Sequence, residues 1–241
     1  MVKFTIDGKE VQAEEGKVLL DVAREKLIFI PTLCEHEGVA PYGACRLCMV
    51  EVSRRGRERL VASCLYPVEN GITVRTSTPR VDHVRHMVLE LLLARCPDSE
   101  KLQDLAERLG VNKPRFSSEE GNHKCILCAL CTRVCEEVVG VSAISLVNRG
   151  VDRKVATPFY AFSEVCIACG SCAYACPTGA IEFEDKGDTR NITMPNVSMQ
   201  FKLRKCKSCG RYFAPVRQLE HMAKLSGLDP NSFDKCEDCR D

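Results

Sequence analysis

Seventeen cysteines in 241 residues constrain this chain more than any other feature of its sequence. Sixteen fall into sets of four. They are Cys34, Cys45, Cys48 and Cys64; Cys125, Cys128, Cys131 and Cys135; Cys166, Cys169, Cys172 and Cys176; and Cys206, Cys209, Cys236 and Cys239. Cys96 stands apart. So many thiols either pair as disulfides or bind metal. The chain starts MVKFTIDGKE, which reads as a strand and a turn with no basic-then-apolar leader, and no apolar run approaches a membrane span of about 18 residues. A soluble, cytoplasmic protein is expected. In a reducing compartment, repeated C-x2-C spacings indicate metal ligation and not disulfides.

The length favours several modules over one core. A formal net charge of +1 leaves no electrostatic footprint for nucleic acid. Residues 1–79 alternate short strands and turns. VKFTI–DGK–VQAE reads as a hairpin on an Asp-Gly turn, GKVLLDVAREK as a helix, and MVEVSRRGRERLVASC as a second hairpin. The tip SRRGRER reads as a solvated turn, with a docking patch for an acidic partner as the sharper alternative. Residues 80–123 form a helical connecting segment. VDHVRHMVLELLLAR and DSEKLQDLAERLG are its helices, with Asp98 or Ser99 as cap and Gly110 as stop. A cysteine-rich module spans 124–181. Residues 182–201 read as a linker with some local hairpin. The tail, 202–241, places its four cysteines around a helix in APVRQLEHMAKLSG.

CILCALCTRVC and CIACGSCAYACPTGA both have the spacing C-x2-C-x2-C-x3-C, and the second ends in Cys-Pro. This is the bacterial ferredoxin pattern for two [4Fe–4S] clusters, in which the fourth cysteine of each run ligates the other cluster. The pattern implies Cys125, Cys128 and Cys131 with Cys176, and Cys166, Cys169 and Cys172 with Cys135. Gly170 and Gly179 are expected to allow close backbone approach. Two structural zincs are the alternative. Thirty residues separate Cys135 from Cys166, more than in a minimal ferredoxin, and Glu136 replaces the proline after the first run. The insertion is expected to add strands.

Cys34, Cys45, Cys48 and Cys64 follow C-x10-C-x2-C-x15-C. This keeps the logic of the plant-type [2Fe–2S] spacing with a longer first gap; a zinc loop is the alternative. PTLCEHEGVAPYGACRLCMVEV followed by VASCLYPVENGITVRT resembles the N-terminal domain of the large iron–sulfur subunit of complex I. It also resembles the small iron–sulfur subunit of the diaphorase module of NAD-linked hydrogenases, with relatives in formate dehydrogenases and flavin-based electron-bifurcating complexes. The resemblance covers residues 1–180. It implies an α+β chain with an N-terminal β-grasp [2Fe–2S] ferredoxin-like domain, a helical segment and a bacterial-type 2[4Fe–4S] ferredoxin domain. The tail adds a small C-terminal four-cysteine metal domain. Complex I relatives often carry a further cluster on H-x3-C-x2-C-x5-C. Here LLLARCPDSEKLQDLAERLG offers only Cys96, with Ser at 99, so that cluster is not expected. Cys96 reads as a buried thiol. His36, His83, His86 and His123 read as loop or helix-surface residues.

The tail spacing C-x2-C-x26-C-x2-C fits tetrahedral zinc on four thiolates, with mononuclear iron or a further iron–sulfur cluster as alternatives. The chain shows no G-x-G-x-x-G fingerprint and no acid–base constellation. The resemblance therefore implies a non-catalytic electron-transfer subunit beside a flavin-containing NAD(P)-binding subunit. A second catalytic subunit is also implied, such as a hydrogenase, formate dehydrogenase or aldehyde oxidoreductase, and ferredoxin is a further candidate partner. A free-standing multi-cluster soluble ferredoxin and a zinc-bearing scaffold or adaptor are the rival readings.

Overall fold

Two positive-φ residues at each of two hairpin tips set the register of the N-terminal sheet. The computed structural model describes residues 1–111, 114–118 and 124–240. His123 and part of the polar stretch before it lie outside the described residues. The chain divides into two compact units, Met1–Cys128 and Ala129–Asp241.

In the first unit, β1 (Val2–Ile6) and β2 (Lys9–Ala13) pair antiparallel around Asp7 and Gly8, whose φ values are 49° and 78°. This is the two-residue turn expected from Asp-Gly, since both central residues must be left-handed to match strand twist. Helix α1 (Leu19–Glu25) follows and buries Leu19, Leu20, Val22 and Ala23. Burial of the larger aliphatic side chains stabilises by about 1.5–3 kcal/mol each. β3 (Met49–Arg54) and β4 (Arg57–Ala62) form the second hairpin, with Arg55 and Gly56 left-handed at its exposed tip. β5 (Thr73–Arg75) runs parallel to β1 and antiparallel to β3, giving the order β2-β1-β5-β3-β4. A mixed sheet with a parallel central pair, packed on a helix through one core, is the β-grasp arrangement expected for this domain.

Helix α2 (Pro79–Arg95) starts where Thr78 Oγ1 accepts from the Val81 N–H at 3.2 Å and Pro79 takes the first turn. Helix α3 (Glu100–Leu109) ends at Gly110, φ 74°. Ser99 occupies the cap position, yet its hydroxyl is buried without a hydrogen-bond partner. Cys96 is fully buried, as a small hydrophobe would be. Arg115 closes on Glu90 of α2 with Nε–Oε1 at 3.0 Å and Nη2–Oε2 at 2.5 Å.

In the second unit, α4 comprises Leu130–Arg133. The insertion between the two C-x2-C-x2-C-x3-C runs forms the expected strands, β6 (Ser145–Val147) antiparallel to β7 (Lys154–Ala156). α5 comprises Ser171–Tyr174. The stretch 182–201, expected to be a linker, is sheet. β8 (Glu182–Lys186), β9 (Thr189–Met194) and β10 (Val197–Lys205) form a meander whose strand order with β11 (Tyr212–Pro215) is β11-β10-β9-β8. Its polar composition hid a period of two that buries Ile192, Met194, Met199, Phe201 and Leu203. β10 crosses residue 202 without a break. Helix α6 (Val216–Ser226) ends at left-handed Gly227 and packs Leu219 and Ala223 against Phe233 and Phe213.

The ion pair on α2 sets a pH dependence. Arg115 donates to Glu90 and holds its carboxyl below the ordinary value of 4.5. The depressed folded value means this contribution is complete above pH 4.5 and is lost as pH falls through the folded pKa. Glu90→Gln should therefore be less stable than the wild type at neutral pH. The two denaturation curves should converge on acidification; parallel curves down to low pH would contradict the assignment.

Candidate metal centres

In the first unit, Cys34 comes from the loop after α1, Cys45 and Cys48 from the loop entering β3, and Cys64 from the 3₁₀ turn Ser63–Leu65 that ends β4. All four are buried. They fall into two pairs. The Cys45 N–H donates to Cys34 Sγ at 3.2 Å, and Cys48 Sγ lies 3.3 Å from Cys64 Sγ. Within each pair one thiol donates to the other. The Cys45 pKa is accordingly lowered to about 6 by the Cys34 thiol, and that of Cys48 to about 7 by Cys64. The partner cysteine beside each pushes the thiols of Cys34 and Cys64 up. Two close pairs of buried thiols suit a two-iron centre with two thiolates per iron.

Beside the four thiols, Arg85 Nε is buried with no hydrogen-bond partner among the described residues, and the Ser63 side chain acts as a donor to Cys48. Ser63 precedes Cys64, and its N–H donates to the Cys48 carbonyl at 3.0 Å. Arg85 Nη2 donates to the carbonyl of Met49, next to Cys48, at 2.6 Å. Unsatisfied buried polar groups are rare and costly. An unpaired buried guanidinium N–H beside four thiols fits a site that takes an anionic group.

The two ferredoxin-pattern runs share a backbone device that residue types alone did not announce. Leu127 and Ala129 have φ of 54° and 65°; Ala168 and Gly170 have 58° and 79°. In each run the left-handed residues stand two and four places after the first cysteine. Alternating left- and right-handed residues turn successive N–H groups into one concavity, a nest that binds anions and iron–sulfur clusters. Three of these four residues carry the steric cost that glycine avoids. Gly170 also has a contact reason, because a Cβ there would lie 3.1 Å from the Phe183 ring. Gly179 is also left-handed, with φ 64°, a backbone conformation that side-chain-bearing residues rarely adopt.

In the second unit, Cys135, Cys166, Cys169 and Cys172 line one apolar cavity with Ile144, Ile167, Ile192 and Met194. Burial pushes the thiols of Cys135 and Cys166 up, and that of Cys172 up to about 12. The Ala143 N–H donates to Cys135 Sγ at 3.2 Å, and the Ala180 N–H to Cys176 Sγ at 3.1 Å. Ile192 and Met194 come from β9, inside the stretch read as a linker. Arg190 of the same strand donates to the Ala168 carbonyl at 3.0 Å and lies over the Phe183 ring at 4.7 Å. Sequence reasoning missed these residues; the alternation of β9 was the signal that could have found them. In the first unit, Cys128 is buried and Cys125 half-buried, and Arg95 of α2 donates to the Cys125 carbonyl at 3.3 Å. Cys131 is buried on α4.

The tail brings Cys206, Cys209, Cys236 and Cys239 together, with all four sulfurs within 4.8 Å of one another. Each pair sits on a tight turn, with Gly210 N–H donating to the Cys206 carbonyl at 3.0 Å and Cys239 N–H to that of Cys236 at 3.0 Å. N–H groups of Cys209 and Cys236 point at Cys206 Sγ and lower its pKa to about 6. The thiol of Cys239 donates to Cys236 and is pushed up to about 12. Asp234 ties the knuckles together. It accepts from Arg204 at 2.5 Å, pairs with Lys207, and its carbonyl accepts the Lys207 N–H at 2.9 Å. Four sulfurs at this spacing could hold a single metal ion. Of the histidines, His83 is exposed, His86 is half-buried on α2, and His36 Nδ1 accepts the Gly38 N–H at 3.1 Å.

Two domain families match the chain, which is thereby an iron–sulfur protein. Residues 1–79 match the 2Fe-2S iron-sulfur cluster binding domain, and residues 124–180 and 165–211 match the 4Fe-4S dicluster domain. It is homologous to iron–sulfur subunits of NADH-quinone oxidoreductase, NADP-reducing hydrogenase and NADPH-Fe(3+) oxidoreductase. It is 34% identical over 206 residues to the G 2 subunit of the NADH-quinone oxidoreductase of Rhizobium meliloti (strain 1021), covering 75% of this chain and 24% of that protein. It is 36% identical over 211 residues to NADP-reducing hydrogenase subunit HndD of Solidesulfovibrio fructosivorans, covering 75% and 36%. NADPH-Fe(3+) oxidoreductase subunit alpha of Geobacter sulfurreducens is 35% identical over 208 residues, covering 75% and 24%. The chain thus spans between about a quarter and a third of the length of these curated relatives. A chain in the crystal structure of an NAD+-reducing [NiFe]-hydrogenase in the H2-reduced state superposes with TM-score 0.65 at 28% identity, over 77% of this chain and 88% of that one. No helix among the described residues is long and apolar enough to cross a membrane.

Gly43 supplies a test of the first site. Its φ is 71°, and a Cβ there would lie 2.5 Å from Leu65 Cδ1. Gly43→Ala should destabilise the chain by about 1–2 kcal/mol from the left-handed backbone alone, more with the Leu65 contact. Chemical denaturation should report that loss; a change below about 0.5 kcal/mol, the ordinary range for surface substitutions, would contradict the close approach.

Proposed function

We propose that this chain relays single electrons within a multi-subunit NAD(P)-linked flavin oxidoreductase of hydrogenase, formate dehydrogenase or electron-bifurcating type. Cys34, Cys45, Cys48 and Cys64 hold a [2Fe–2S] cluster. Cys125, Cys128, Cys131 and Cys176 hold one [4Fe–4S] cluster, and Cys166, Cys169, Cys172 and Cys135 the other. Cys206, Cys209, Cys236 and Cys239 hold one zinc ion that clamps the tail. When bound, the clusters supply one-electron storage. The chain's own residues hold the thiolates, exclude water from them and direct N–H groups at sulfur.

The observation that carries this reading is the cavity in which Cys135, from one run, stands with Cys166, Cys169 and Cys172 of the other. That is the crossed arrangement two-cluster ferredoxins use. The relatives' names support the wider setting, since they are subunits of NADH-quinone oxidoreductase, NADP-reducing hydrogenase and NADPH-Fe(3+) oxidoreductase. A flavin-containing NAD(P)-binding subunit is the partner on one side. A catalytic subunit such as a hydrogenase, formate dehydrogenase or aldehyde oxidoreductase is the partner on the other. Clustered thiols kept for metal support a cytoplasmic location.

Anaerobically purified protein should contain about ten irons and ten acid-labile sulfides per chain, from one two-iron and two four-iron clusters, with about one zinc. Zinc alone, without sulfide, would overturn the relay in favour of a zinc-bearing scaffold. Stoichiometric co-purification with a flavin subunit separates a complex subunit from a free-standing ferredoxin. Cys176→Ser should damage the cluster of Cys125, Cys128 and Cys131 and spare that of Cys166, as read by electron paramagnetic resonance (EPR). The opposite loss would refute the crossed pairing.

A further inference from the structure

Arg85 is a buried cation without a carboxylate partner. It lies on the inward face of α2, 5% exposed. Its Nη2 donates to the Met49 carbonyl at 2.6 Å, while its Nε has no partner. The two carboxylates that act on it electrostatically, Asp82 and Asp7, are engaged elsewhere. Asp82 accepts from the Ser77 hydroxyl at 2.9 Å, and Asp7 accepts from the Thr76 N–H and hydroxyl at 2.7 and 2.6 Å. Burial lowers the Arg85 pKa, but arginine remains charged in proteins. An unpaired buried charge is strongly destabilising, so a counter-charge is to be expected on the side where Nε is unpaired. Met49 is the residue after Cys48, and the Cys48 thiolate is the third group that acts on Arg85.

We propose that Arg85 is the built-in counter-charge of the [2Fe–2S] centre and raises its reduction potential. The inference rests on the cluster assignment made above. Two thiolates per iron and two sulfides give the oxidised centre a negative charge, and one added electron increases it. A fixed positive charge in a low-dielectric site favours the more negative state. Arg85 belongs to α2 and not to the cysteine-bearing loops, so α2 serves the centre through charge as well as through packing against β3. Arg85 is a tuning residue: it supplies no ligand atom.

The test is a redox titration of the full-length, cluster-loaded chain, followed by the [2Fe–2S] EPR signal. The variants are Arg85→Met, Arg85→Gln and Arg85→Lys. Methionine removes charge and donor, glutamine removes charge but keeps an N–H donor, and lysine keeps the charge. At a fixed potential the reduced-to-oxidised ratio should fall about tenfold in both uncharged variants, equal to about 59 mV for a one-electron centre. Arg85→Lys should stay near the wild type, and the [4Fe–4S] signals should not move. Loss of the [2Fe–2S] signal in the uncharged variants with retention in Arg85→Lys would also support the role. Unchanged potentials in the uncharged variants, or a lysine variant displaced as far as they are, would overturn it. A wild-type chain that lacks any [2Fe–2S] signal while remaining folded would overturn the cluster assignment itself, and this inference with it.

Discussion

Desolvation of sulfur is the constraint on which this structure depends. Of the sixteen cysteines in sets, nine are buried. A thiolate taken out of water is strongly disfavoured unless something positive or proton-donating meets it. The thiols of Cys135, Cys166 and Cys172 are pushed up because they sit in an apolar cavity. Cys45, Cys48 and Cys206 are lowered because donors point at them. The fold meets this problem with backbone N–H groups that donate to sulfur and with left-handed residues that aim the loops carrying them.

Loops carry the cysteines, but regular elements decide where the loops stand. The β3–β4 hairpin joins Cys48 to Cys64, and its register is fixed by the Arg55–Gly56 turn at the far end. α2 packs on β3 and places Arg85 against the residue after Cys48. In the second unit, the β8–β9–β10 meander forms the wall behind Cys166–Cys172, through Phe183, Arg190, Ile192 and Met194. The tail applies the same division of labour at small scale. A few apolar residues, Leu219, Ala223 and Phe233, cannot hold a fold alone, and Asp234 with four thiols completes it.

Much of this is legible in the sequence because spacing is a local property. The runs C-x2-C-x2-C-x3-C and the two tail C-x2-C pairs bring thiols into reach through the chain's own short turns. Asp7–Gly8, Arg55–Gly56, Gly110 and Gly227 likewise announce where elements turn or end. The stretch 182–201 reads as a linker because Asp, Asn, Thr and Lys suggest a loop by composition. Its alternation has meaning only when a partner surface exists to bury Ile192 and Met194.

The sequence by itself determined the number and spacing of the thiol sets, the two N-terminal hairpins and the two-run ferredoxin pattern, since each follows from neighbouring residues. Only the tertiary structure decided that Leu127, Ala129 and Ala168 adopt the conformation glycine prefers, because the surrounding loop overrides their own preference. It set Cys135 in one apolar cavity with Cys166, Cys169 and Cys172, the crossing that the two-run spacing implies, and lined that cavity with Ile192 and Met194 of a strand no spacing announced. And it alone turned Arg85, one arginine among many in the chain, into a buried charge bonded to the carbonyl of Met49, the residue after Cys48. Burial and the direction of a side chain depend on what packs above it, and no local pattern records that.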